Sequence, residues 1–354
     1  MIQRLRHQVF SLLLRSKLHG FLVARQVKRS QVEISNALRN VVKIILSDNF
    51  SQNIRITYNT SDSPDTYGDI IPTLMLVRFF ASIGRTVEFV WDSRKENHKK
   101  KQVGNMKNSA NSYLRDQSQL IQNCFEGFDN IVLVNDLKER TDFFDLNFAI
   151  KNLKRPIYRL APEILDGSVK HWLRGNKQIP KNFFLDAGIL RNGSIAIVFR
   201  ASSYDKSRNP SIRSLKKDIN LLTSIFPNHK IVVFTDKQNM NKVFLRTFKI
   251  DLTKNFDKKN WKVIPQSSST YSDAVLEILK SDFLFQRKGG GMCIPVLHSQ
   301  IPYLVLDQNV TYHTPRRRMS LYSFSKSDQM FTRPISRHKI KSLIATFVVH
   351  NISR

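Results

Sequence analysis

The chain has 354 residues, 41% of them hydrophobic and 24 of them Phe, which is enough apolar surface for packed cores and excludes wholesale disorder. Lys and Arg number 57 against 28 Asp and Glu, a formal net charge of +29, so the expected partner is anionic: a phosphorylated small molecule, an acidic membrane surface or a nucleic acid. Only Cys124 and Cys293 are present, in unlike contexts, which argues against a disulfide framework and for a reducing, cytoplasmic setting. The nine His show no metal-ligand spacing, so no metal and no cofactor are expected, and no run reaches the roughly 18–20 apolar residues that span a bilayer.

Residues 1 to 48 read as a basic helical extension interrupted only by Gly20. Its first part, MIQRLRHQVFSLLLRSKLHGFLVARQVKR, sets Leu, Val and Phe among Arg and Lys at near-helical spacing. Such a helix either packs on the protein's own surface or lies on an anionic membrane, which would make the protein peripheral at the inner face. It lacks the cleavage pattern of a secretory signal.

From Asn53 the texture changes. NIRITY is a short alternating strand, NTSDSPDTYGD a turn-rich loop, IIPTLMLVRFFASIG an apolar helix closed by Gly84, and RTVEFVW a second strand. This βαβ unit calls for a parallel sheet with a right-handed crossover. Residues 92–118 are polar and basic and read as a long loop; DNIVLVND (129–136) is a further buried strand and RPIYRLAP (155–162) another candidate.

A second series begins with the strand SIAIVFR (194–200). The loop ASSYDKSRNPS follows, then the helix IRSLKKDINLLTSIFP, the strand KIVVFTD (230–236), the helix SDAVLEILKS (272–281), the strand DFLFQ (282–286), a glycine run, CIPVLHSQ, and the strand PYLVLD (302–307). Residues 338–354 close the chain as an amphipathic helix. The fold class expected is α/β, with two Rossmann-like domains facing across a cleft, 49–187 and 188–354.

In open α/β sheets ligands bind beyond the carboxyl ends of the strands, so residues that follow strands carry the information. Arg200, Asp236 and Arg287 with Lys288 stand there in the second half. Gly289, Gly290 and Gly291 come next and precede an apolar run. Without a Cβ in the way, bare N–H groups and a helix dipole can approach a phosphate there, while the same glycines also suit a tight strand-to-helix turn. Arg287 and Arg200 could add charge-assisted bonds to one pyrophosphate. Ser202, Ser203, Arg208 and Asn209 share a loop that fits phosphate or sugar hydroxyls, or is an ordinary polar loop with Asn209 or Ser211 as helix cap. Neither a dinucleotide fingerprint nor a P-loop is present. In the first half Gly68 and Asp69 begin a helix after a strand. Asp69 either caps that helix or takes a proton from an attacking hydroxyl, while Asp62 and Asp65 read as turn formers.

These stretches resemble the two-domain glycosyltransferases of the GT-B fold, diffusely, over roughly residues 53 to 340. YGDIIPTLMLVRFFASIGRTVEFV resembles the Gly-Asp element of bacterial heptosyltransferases. The likeness implies Asp69 as base, with Tyr67 and Gly68 on the acceptor side. IVFRASSYDKSRNPS, IVVFTD and SDFLFQRKGGGMCIPVLHSQIPYLVL are similar to the donor half of fucosyltransferase-type members. The likeness implies a nucleotide-diphospho-sugar donor at Arg200, Ser202, Arg208, Asp236, Tyr271, Arg287 and Gly289 to Gly291. The histidine and Gly-Asp that accompany the arginine in the closer fucosyltransferase pattern are missing, which leaves the donor unnamed. Tyr271 and Asp273 stand near the expected base-binding segment without a sharp motif. No E-x(7)-E signature of retaining members is evident, which points to inversion. The resemblance thus implies a metal-independent transferase acting on a glycan or lipid-linked acceptor. A basic nucleic-acid-binding protein and an inactive glycan-binding relative are the rivals; TPRRRMS (314–320) lacks the interleaved aromatics of a nucleic-acid platform.

Overall fold

The computed structural model describes residues 36–50, 53–59, 67–92, 110–135, 142–199, 210–235, 244–250, 256–257, 261–265, 271–287, 298–306, 329–332 and 336–351. Residues 1–35 of the basic extension lie outside them. Residues 36–45 form helix α1, and its stripe of Leu38, Val41, Val42 and Ile45 is buried, so this part of the extension belongs to the core. Val42 lies against Gly167, where an added Cβ would stand 3.7 Å from its methyl group.

Among the described residues the chain forms two sheets of parallel strands with helices between them, as its alternating pattern predicts. The first has four strands in the order β3-β2-β1-β4: β1 (Asn53–Asn59), β2 (Val87–Asp92), β3 (Ile131–Val134) and β4 (Phe143–Asp145). Helix α2 (Tyr67–Ser82) makes the β1–β2 crossover and is followed by Gly84 at φ +85°, a left-handed turn that glycine adopts without strain. The second sheet has seven strands in the order β11-β10-β9-β5-β6-β8-β7. They are β5 (Ser194–Phe199), β6 (Lys230–Thr235), β7 (Phe256–Asp257), β8 (Trp261–Pro265), β9 (Phe283–Arg287), β10 (Tyr303–Leu306) and β11 (Gln329–Thr332), all parallel to their neighbours except β7. Helices α5 (Ile212–Ile225), α6 (Tyr271–Leu279) and α7 (Arg337–Asn351) belong to this half, and Ile340 and Ile344 of α7 join its core.

Four readings of the sequence are corrected. Residues 110–118 are no loop but the start of helix α3 (Ala110–Phe125), whose apolar stripe, Leu120, Ile121 and Cys124, lies beyond the polar stretch. RPIYRLAP is no strand: helix α4 (Ile157–Gly175) starts there, and Ile157, Leu160, Ala161, Ile164 and Leu165 recur at helical spacing along its buried face. The run at 129–136 gives only β3, at the sheet edge, with Val132 47% and Leu133 38% exposed, because an apolar run does not tell an edge strand from a central one. NIRITY, an alternating strand in sequence, does not alternate in burial: Ile54, Arg55 and Ile56 are all buried.

Arg78 gathers the segment between the sheets. Buried in α2, it donates through Nε to the Phe183 carbonyl (3.0 Å), through Nη2 to those of Asn182 (2.5 Å) and Phe184 (3.0 Å), and through Nη1 to that of Cys124 at the end of α3. Its guanidinium also stacks on Phe128 at 4.9 Å. A second knot ties the following stretch to the larger sheet: Arg191 pairs with Asp186 (2.5 Å), and Asp186 accepts from the Gln300 N–H (2.9 Å).

Burial pushes the Cys124 thiol up to about 11, against the pull of Arg78, so the reactive thiolate is scarce at neutral pH. In a Cys293→Ser protein the native chain is expected to leave a colourimetric disulfide reagent unreacted at pH 8 and to release one thiol on unfolding in guanidinium. Rapid reaction of the native protein would show that α3 opens readily. Because the folded thiol titrates higher than the free one, this site's contribution is complete below pH 9 and is lost as pH rises toward 11.

Candidate active site

A crevice forms beyond a parallel sheet where the strand order reverses, because the loops on either side leave toward opposite faces. In the larger sheet the reversal lies between β5 and β9, with β6 and β8 on one side and β10 and β11 on the other. Register aligns the strand ends there: Val198 faces Gln286, Phe199 faces Thr235, Thr235 faces Pro265, and Leu306 faces Arg287. On the two flanks of the switch point β5 ends at Phe199 and β9 at Arg287, with Arg200 and Lys288 next in the sequence. In the smaller sheet the reversal falls between β1 and β4.

Arg200, Ser202, Arg208, Asp236, Gly289, Gly290 and Gly291 lie outside the described residues. Tyr67, Gly68 and Asp69 form the first turn of α2, which follows β1 at the smaller sheet's switch point, and Tyr271 opens α6. Arg287 is the candidate whose side chain is placed. Its Nε donates to Asp218 Oδ2 at 2.6 Å and its Nη2 to Asp218 Oδ1 at 2.8 Å, a two-pronged pair that leaves Nη1 uncommitted to Asp218. The Arg287 side chain is 25% exposed and that of Asp218 4%. Arg287 is therefore one half of an ion pair and not a free cation.

Asp218 escaped the reading of the sequence, although a signal was there. It falls on the buried stripe of α5 with Leu215, Ile219 and Leu222, where a carboxylate needs a partner. Burial pushes its carboxyl up; the bonds and charge of Arg287, and the charge of Arg337 at the start of α7, pull it back. On the same edge the Thr235 hydroxyl is buried with no hydrogen-bond partner among the described residues, an atom of the kind that water or a ligand satisfies.

The smaller sheet carries polar groups that the sequence also did not announce. Asn147, just after β4, bonds the β1 backbone twice: its Oδ1 accepts from the Thr57 N–H (2.9 Å) and its Nδ2 donates to the Thr57 carbonyl (2.8 Å). The amide thereby continues the ladder where β4 has ended, at the switch point. Arg55 and Glu88 face each other on β1 and β2 and form an ion pair at 3.0 Å, 6% and 1% exposed. Asp92 ends β2, buried, opposite Asn59. Asn123 Nδ2 of α3 donates to Ser272 Oγ of α6 at 2.7 Å and joins the two halves. Among the described residues no group of three His, Cys, Asp or Glu is arranged to hold a metal, and no described helix is long and apolar enough to cross a membrane.

The architecture is thus that of two parallel α/β sheets, each Rossmann-like, joined through packed helices. The sequence matches no protein-family model and no curated protein. Among the solved structures similar to the chain are three glycosyltransferases. An Escherichia coli heptosyltransferase, WaaC with ADP, shares 10% identity at a TM-score of 0.43, over 85% of this chain and 98% of its own. A glycosyl transferase of family 9 from Veillonella parvula shares 12% at 0.42, over 83% and 89%. The glycotransferase of kitacinnamycin shares 12% at 0.33, over 85% and 91%. At these values the fold assignment stands on strand order and register.

Proposed function

We propose that the chain is a glycosyltransferase of GT-B-like organisation. It moves a sugar from a nucleotide-diphospho-sugar to a hydroxyl of a glycan or lipid-linked acceptor, with inversion and without a metal. The observation that carries the reading is the switch point between β5 and β9, because the strands that flank it end at Phe199 and Arg287, next in the sequence to Arg200 and to Lys288 with Gly289 to Gly291. Residues 188–354 would hold the donor and 49–187 the acceptor, with the basic N-terminal helix bringing the enzyme to an anionic membrane surface.

In this mechanism Asp69 takes the proton of the acceptor hydroxyl, whose oxygen attacks the anomeric carbon. The bond from that carbon to the diphosphate breaks, and the nucleoside diphosphate leaves with the electron pair. Fixed positive charge from Arg200 and Arg287, with the backbone amides of Gly289 to Gly291, stabilises the leaving group. Ser202, Arg208, Asp236 and Tyr271 complete the donor side; Tyr67 and Gly68 face the acceptor.

A thermal-shift screen with GDP, UDP, ADP and CMP tests the reading. One nucleoside diphosphate is expected to protect the protein, Gly290→Val and Arg200→Ala to abolish that protection in a folded chain, and Asp69→Asn to keep it while turnover drops about 10²–10⁴-fold. Indifference to every nucleotide, together with steeply salt-dependent RNA or DNA binding, would falsify it.

A further inference from the structure

We infer that Asp218 is a positioning residue for a phosphate ligand: it holds the Arg287 guanidinium in a fixed plane at the mouth of the switch point, so that Nη1 is presented to the ligand already oriented. This rests on the reading of that edge as a diphosphate site.

A bare arginine in a crevice keeps much of its rotamer freedom and surrenders it on binding. Here both prongs on one side of the guanidinium are taken, at 2.6 and 2.8 Å, by a carboxylate that is itself buried in the body of α5. Helix α5 is 14 residues long, and its stripe of Leu215, Ile219 and Leu222 anchors it to the sheet, so the carboxylate is held by packing and not by a loop. The Arg287 guanidinium also lies 5.7 Å from the centre of the Phe285 ring, on the same face of β9. An arginine serving only to neutralise Asp218 has no need to end a strand at the switch point with a quarter of its side chain exposed. The arrangement costs Arg287 some of its net attraction for anions and returns geometric definition, which suits a planar fork gripping two phosphate oxygens.

The test uses the full-length protein titrated calorimetrically with inorganic pyrophosphate at about 150 mM salt, where diffuse charge attraction is screened. Arg287→Ala is expected to lose most of the binding, and Asp218→Asn to weaken it about tenfold with native circular dichroism. The double variant should bind no worse than Arg287→Ala alone. Arg287→Lys, which keeps the charge but not the fork, covers the case in which Asp218→Asn fails to fold, and it should lose about as much as Asp218→Asn. If Arg287→Ala loses binding while Asp218→Asn or Arg287→Lys binds as the native chain does, Asp218 merely fastens α5 to β9 and the inference is overturned, leaving the diphosphate reading intact. If Arg287→Ala binds like the native chain, the diphosphate reading of this edge falls and the inference with it.

Discussion

Replacing Arg78 by Met is expected to destabilise the protein by about 3–5 kcal/mol, seen as a lower urea midpoint at unchanged slope. The side chain is 5% exposed and serves four carbonyls from two separate segments, the end of α3 and the turn 182–184. Methionine fills much of the volume but strands those oxygens away from water, and a charge-assisted bond contributes about 1.5–3 kcal/mol. Burial lowers the guanidinium's proton affinity from its ordinary value, yet an arginine stays charged across the whole working range. Arg78→Lys should rescue little, since an ammonium cannot reach carbonyls spread around a planar fork. A loss under about 1 kcal/mol for both variants would mean that water takes over these bonds.

Glu88→Ala should be comparably damaging, by about 3–5 kcal/mol, because it leaves the Arg55 charge in a sheet interior. The sharper measurement is the double replacement Arg55→Met with Glu88→Leu. Desolvating two charges roughly cancels their attraction, so the apolar pair is expected to regain stability to within about 1 kcal/mol of the native chain. If the double variant is as damaged as the single one, the pair has further essential contacts and the two-body account fails.

The elements that could be read from sequence are those whose burial is uniform. The strands at 194–199, 230–235, 283–287 and 303–306 are apolar runs between turn signals, and a central parallel strand has no other form to take. RPIYRLAP holds two prolines, Pro156 and Pro162, and only the first six residues of α4, whereas the apolar repeat of that helix declares itself over 19. At the candidate site, position after a strand picked out Arg287, but nothing local foretold its engagement with Asp218, 69 residues earlier. Ion pairs between a helix and a strand of another unit are set by packing, which a linear pattern does not encode. Asp218 itself was visible in outline as an acidic interruption of an apolar stripe.

One apolar cluster runs without a break from Ile54, Phe79 and Leu165 of the first half through Phe183 to Val198, Phe234 and Leu284 of the second. Any breathing of the halves against each other must therefore slide greasy surface over greasy surface instead of swinging on a free strap. The movement open to such a molecule is a shallow shear, and a fragment severed near residue 187 would carry a raw, sticky wound where its other half had been.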